Sequence, residues 1–112
     1  VTKQDSEKFV VVKGAIPKSL KLQFKVLCVQ QELQMSKVLE DLIKQWIQAD
    51  APIPESFVYI SNEDLEDVKG YIPQSLKLQF KILCTQKRVK IRFILYTLIT
   101  EWVQTRGSTS ES

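Results

Sequence analysis

The chain has 112 residues, 44% of them hydrophobic and 26% charged, with a formal net charge of +3. It has no histidine and two cysteines, which removes the usual general base and the commonest metal ligand. No apolar run approaches the roughly 18 residues of a membrane span. The length suits one small domain or two very small ones, and the polar N-terminal VTKQDSEK lacks the apolar core of a signal peptide, so a cytoplasmic protein with no cofactor or metal is expected.

Residues 1 to 8 are polar and read as a frayed end. FVVVKGAI, residues 9 to 16, is rich in β-branched residues and stops at Pro17, as a strand would. Alternation gives it one face of Val10, Val12, Gly14 and Ile16 and another of Val11, Lys13 and Ala15. The first is expected to be buried and the second exposed. A helix over about 17–31 follows, with Pro17 in its first turn. Its apolar stripe is Leu20, Phe24, Leu27 and Cys28, and Lys18, Lys21 and Lys25 lie on a solvated face. After the break ELQM, Ser36 reads as the N-cap of a second helix over about 37–48, with Glu40 placed to favour its first turn. Leu39, Leu42, Ile43 and Trp46 form that helix's apolar stripe.

The same order then recurs. VKGAIPKSLKLQFKVLC at 12–28 returns as VKGYIPQSLKLQFKILC at 68–84, and over 12–48 and 68–104 the offset of 56 gives 20 identities in 37 positions. The second strand has a buried face of Val68, Gly70 and Ile72 and an exposed face of Asp67, Lys69 and Tyr71. A helix at 73–87 follows Pro73, and the next helix carries Leu95, Leu98, Ile99 and Trp102, with Arg92 where the first copy has Ser36. Units of about 40 residues rarely bury enough surface to fold alone. Repeats over 9–48 and 67–106 are therefore expected to form one domain, joined by an acidic linker over 49–66. FVYI at 57–60 is either an extra strand or the true start of the second ribbon strand, and the tail RGSTSES reads as disordered. Cys28 and Cys84, at equivalent positions, read as small core residues, with a disulfide as the other reading.

Charge is segregated along the chain. Residues 50–67 hold six acids and no base, 75–106 hold seven bases and one acid, and 13–48 hold six bases and three acids. Basic folded units suit a polyanionic partner; the other reading is a generic soluble surface.

Strand, helix, helix in about 40 residues, with a short alternating strand ending in Ile-Pro, resembles the ribbon-helix-helix family of DNA-binding proteins of the Arc, MetJ and CopG type. The resemblance implies a mainly α fold with a short two-stranded antiparallel β ribbon. In the family two chains pair their strands; here the duplicated chain would supply both halves as an intramolecular pseudo-dimer. It implies that the ribbon enters the major groove of double-stranded DNA with Val11, Lys13, Ala15, Lys69 and Tyr71 toward the bases. Asp67 departs from this pattern, because phosphates repel a carboxylate. The start of the second helix of each copy would hold phosphate, through Gln34, Ser36 and Lys37 in one copy and Lys87, Arg88, Lys90 and Arg92 in the other. Lys13 and Lys69 would each serve one half of a site whose halves differ. The function implied is sequence-specific DNA binding, as a transcriptional repressor or a copy or partition regulator, with self-association of chains on DNA as a further expectation. The alternative is a protein-interaction or antitoxin-like adaptor module with weakened DNA binding and a protein partner. Nothing in the residues suggests an enzyme: there is no histidine, no glycine-rich phosphate loop and no carboxylate pair inside a folded unit.

Overall fold

A computed structural model describes residues 7–53 and 64–108. Within them the element order is β1 (Phe9–Pro17), α1 (Lys18–Gln30), α2 (Met35–Gln48), β2 (Leu65–Pro73), α3 (Gln74–Gln86) and α4 (Ile91–Ser108). The molecule is mainly helical, with one two-stranded antiparallel sheet among the described residues. The alternative strand at 57–60 lies outside the described residues.

β1 and β2 pair with Lys13 opposite Lys69, Val11 opposite Tyr71 and Ala15 opposite Asp67. Lys69 is the counterpart of Lys13 at the repeat offset, so the two lysines mark the ribbon's midpoint and the pairing is self-complementary about them. One face is buried, with Val12, Ile16, Val68 and Ile72 at 2% exposure or less. A lone two-stranded ribbon is marginal in water; here the four helices cover that face.

The covering is crossed between copies. α2 packs on β2 and α4 on β1. Gly14 and Gly70 let these helices come close. A Cβ on Gly70 would stand 2.8 Å from Leu39 Cδ1 and 3.2 Å from Ser36 Cα, and one on Gly14 would stand 3.1 Å from Leu95 Cδ1. Phe24 of α1 meets Trp102 of α4 edge to face at 5.4 Å, and Trp46 of α2 meets Phe80 of α3 in the same way at 5.4 Å. Such pairs add about 0.5–1.5 kcal/mol beyond the area they bury. Residues from both copies build each of these contacts. Leu39, Ile43, Leu95 and Ile99 complete the interior, while Val10, Leu20 and Leu27 are only half-buried.

Several local expectations need correction. Pro17 and Pro73 are the last strand residues and the N-caps of α1 and α3, with ψ of 144° and 142°, rather than first-turn residues. The ladder runs one step beyond them: Lys18 N–H donates to Asp64 O at 3.1 Å and Gln74 N–H to Lys8 O at 2.9 Å. Residues 7 and 8 are therefore held, not frayed. Proline offers no capping side chain, and Glu7 Oε2 instead accepts from Ser75 N–H at 2.6 Å. The hydrogen bonds from Ser75 hold the Glu7 carboxyl below its ordinary range. At the other end α4 runs through Ser108, so residues 106–108 of the tail are helical. α1 and α3 both close with a left-handed residue, Glu32 (φ 56°) and Arg88 (φ 57°), followed by Leu33 N–H to Cys28 O and Val89 N–H to Cys84 O. Both cysteines are free and buried, which removes the disulfide reading. Burial pushes the Cys84 thiol up to about 11 and Cys28 in the same direction. No described helix is long and apolar enough to cross a membrane.

Candidate nucleic-acid interface

The outward face of the ribbon carries three cross-strand pairs: Val11 with Tyr71, Lys13 with Lys69, and Ala15 with Asp67. Lys13, Asp67, Lys69 and Tyr71 are exposed, and Val11 and Ala15 are half-buried. Two ammonium groups directly opposite each other repel. Asp67 Oδ2 stands 3.9 Å from Lys13 Nζ, with both side chains more than half exposed. That contact is a weak offset, since exposed ion pairs are worth roughly 0–1 kcal/mol. An anion or a base-edge acceptor above the midpoint would satisfy both lysines.

The register also revises how the two lysines act. They stand side by side at the centre of the ribbon. On a bound duplex each would therefore face the middle of the site and not one half of it. The two ends of the ribbon are what differ: one offers Val11 and Tyr71, the other Ala15 and Asp67.

The helix starts flank the ribbon, α2 beside β2 and α4 beside β1, through the glycine contacts. Ser36 is not the N-cap of α2. Gln34 holds that place without a side-chain cap bond, and α2 begins at Met35. The Ser36 hydroxyl instead accepts the Tyr71 N–H of β2 at 2.9 Å, which satisfies an outward donor of the ribbon. Glu40 does not serve the first turn; it pairs with Lys44 at 3.0 Å, which raises the Lys44 pKa. Lys37 lies 3.8 Å from Asp41.

In the second copy Lys90 and Arg92 are exposed at the start of α4, and Arg92 also lies 5.7 Å over the Phe93 ring. Arg88 is exposed in the α3–α4 turn. Lys87, the C-cap of α3, precedes Arg88 in the same turn, and its Nζ donates to Asp50 O at 3.4 Å, just past the end of α2.

Lys77 and Lys81 of α3 stand outside the site inferred from sequence, where the lysines of the first helix of each copy read as solvated. They line a groove of about 490 Å³ with Val11, Lys13, Lys69 and Tyr71 of the ribbon. The i,i+4 spacing puts them on one helix face, but only the fold shows that this face meets the ribbon.

The helical part of the first copy, residues 18–49, matches a family model described as 56B-like, ribbon-helix-helix. No curated protein and no solved structure matches the chain. The match covers α1, the turn and α2, and together with the two-stranded antiparallel sheet it supports a ribbon-helix-helix domain, a class that typically binds DNA.

Proposed function

We propose that the chain is a sequence-specific DNA-binding regulator that inserts its ribbon into the major groove, and that one chain supplies both halves of a ribbon-helix-helix dimer. The observation that carries this reading is the register of the ribbon. Equivalent strands of the two copies pair within one chain, and Lys13 and Lys69 meet on its exposed face. Paired lysines at that place suit guanine O6 and N7 acceptors in the groove. Val11 and Ala15 suit thymine methyl groups, and Tyr71 brings a hydroxyl donor to a base or a phosphate. The exposed cations at the start of α4 suit the phosphates beside the groove. Repression, or copy or partition control, is the regulatory role such binding would serve, in the cytoplasm. The internal repeat takes the place of self-association in building the ribbon.

A protein-interaction module is the second reading. It is favoured by one observation: Asp67 sits on the ribbon face beside Lys13, where phosphates repel it. Selection of bound sequences from a random duplex pool separates the two. An enriched motif, weakened by Lys13→Ala and by Lys69→Ala, supports DNA reading. No enrichment at low salt refutes it and leaves the adaptor reading.

A further inference from the structure

We infer that the groove between β1, α3 and the start of α4 is a phosphate-binding site for one strand of duplex DNA, present on one side of the ribbon only. The inference rests on the DNA reading and adds to it a site on α3.

The groove is lined by Lys13 of β1, Lys69 and Tyr71 of β2, Lys77 and Lys81 of α3, and Ile91 of α4. Four ammonium groups from three elements thus face one space. Like charges at i,i+4 on a helix cost a few tenths of a kcal/mol. Among the described residues no carboxylate forms an ion pair with Lys69, Lys77 or Lys81. Of the four, only Lys13 has a carboxylate partner among the described residues, Asp67 at 3.9 Å, so the groove is strongly cationic. The opening is broad and borders the face proposed to enter the major groove. A run of phosphodiesters fits it better than a single enclosed anion.

The counterpart space across the ribbon is built differently. Lys21 and Lys25 stand in place of Lys77 and Lys81, but Ala15 replaces Tyr71, Asp67 replaces Val11 and Glu66 replaces Val10. Glu66 lies 3.8 Å from Lys21 and Asp67 lies 3.9 Å from Lys13. The helix starts continue the contrast, with Lys90 and Arg92 on the α3 side against Gln34 and Ser36 on the other, where the cation of that start, Lys37, lies 3.8 Å from Asp41. At these seven paired positions one flank carries four cations and no acid. The other carries two cations and two acids, a net of +4 against 0. A duplex is itself close to two-fold symmetric in its backbone. Turning it around leaves these backbone contacts unchanged, so the bases set the orientation, and in either orientation the α3 flank grips phosphate more strongly than the other.

The test uses the full chain and a duplex recovered by selection. Binding is measured over a range of salt for wild type, Lys77→Gln/Lys81→Gln and Lys21→Gln/Lys25→Gln. It is repeated on duplexes in which single phosphates are replaced by neutral methylphosphonates. The salt slope should fall by about two for the α3 pair, about one per lysine, and stay unchanged for the α1 pair. Phosphate neutralisation should weaken wild type on one flank only, and those positions should become silent in the α3 variant. Equal slopes for the two variants, or equal sensitivity on both flanks, would overturn the inference while leaving DNA binding intact. Failure of wild type to bind any duplex would overturn the DNA reading and this site with it. All four lysines are on the surface, and an unchanged thermal melt will confirm that each variant folds.

Discussion

Phe24 meets Trp102 at 5.4 Å and 87°, and Phe80 meets Trp46 at 5.4 Å and 85°. The α1–α2 turn reads Gln-Glu-Leu-Gln where the α3–α4 turn reads Lys-Arg-Val-Lys. At these paired rings the two copies match; beside the ribbon they do not. Buried positions must interlock with their own counterparts, so a change in one copy disturbs a contact to which both contribute. Surface positions carry no such constraint, and charge there could diverge until one flank is cationic and the other neutral. The interior thus explains how one chain completes a ribbon. The flanks explain why its two ends should not act alike.

The largest expected effect tests the symmetric side of this comparison. Phe24→Ala and Phe80→Ala should each destabilise by about 3–5 kcal/mol, because each removes a fully buried ring. Urea unfolding should show nearly equal losses. A large loss in one and almost none in the other would mean that the two copies do not share their core evenly. Leu27→Ala should cost less than either, since Leu27 is only half-buried.

A closer comparison is available at the two glycines. Gly70→Ala should cost about 1–3 kcal/mol, since its methyl would press on Leu39 and on the backbone of Ser36. Gly14→Ala should cost less, because its tight contact is only the flexible Leu95 side chain at 3.1 Å, with the Arg92 backbone at 3.7 Å. Thermal melts of the two variants will rank them, and the reverse order would put the closer helix approach on β1.

On the surface, Lys13→Ala and Lys69→Ala should each weaken binding to a selected duplex by about 1–3 kcal/mol, and each should relax preference at the centre of the site. Relaxation at opposite ends instead would contradict the register.

The smallest effect concerns Glu7, whose carboxyl is held below its ordinary 4.5 by the hydrogen bonds from Ser75. A depressed folded-state value adds stability that is present above the unfolded value and lost as pH falls through the folded one. Glu7→Gln should therefore lower the melting temperature slightly at neutral pH, and the difference should close as pH falls below the ordinary carboxyl range. A difference that does not change with pH would detach Glu7 from the start of α3.

Much of this architecture is legible in the residues because the chain repeats itself. Alternation from Val10 to Ile16 marks the buried face of the ribbon, and the spacing of Phe24 and Cys28 marks the buried side of α1. What escapes depends on contacts distant in sequence. Ser36 has the form of a cap, but its hydroxyl is taken by Tyr71, 35 residues away. Glu7 caps a helix 68 residues further on. Lys77 and Lys81 lie on a polar face of their own helix, and only the crossed packing brings that face beside the ribbon. The opposition of Lys13 and Lys69 follows from the register, which local pattern does not fix.

On this reading a single chain presents a complete ribbon to DNA. Native mass spectrometry of the smallest specific complex on a selected duplex tests it most directly. One 13.0 kDa chain per duplex is expected, on a site whose two halves differ. Two chains per site, each half contributed by a separate chain on a perfect palindrome, would contradict it.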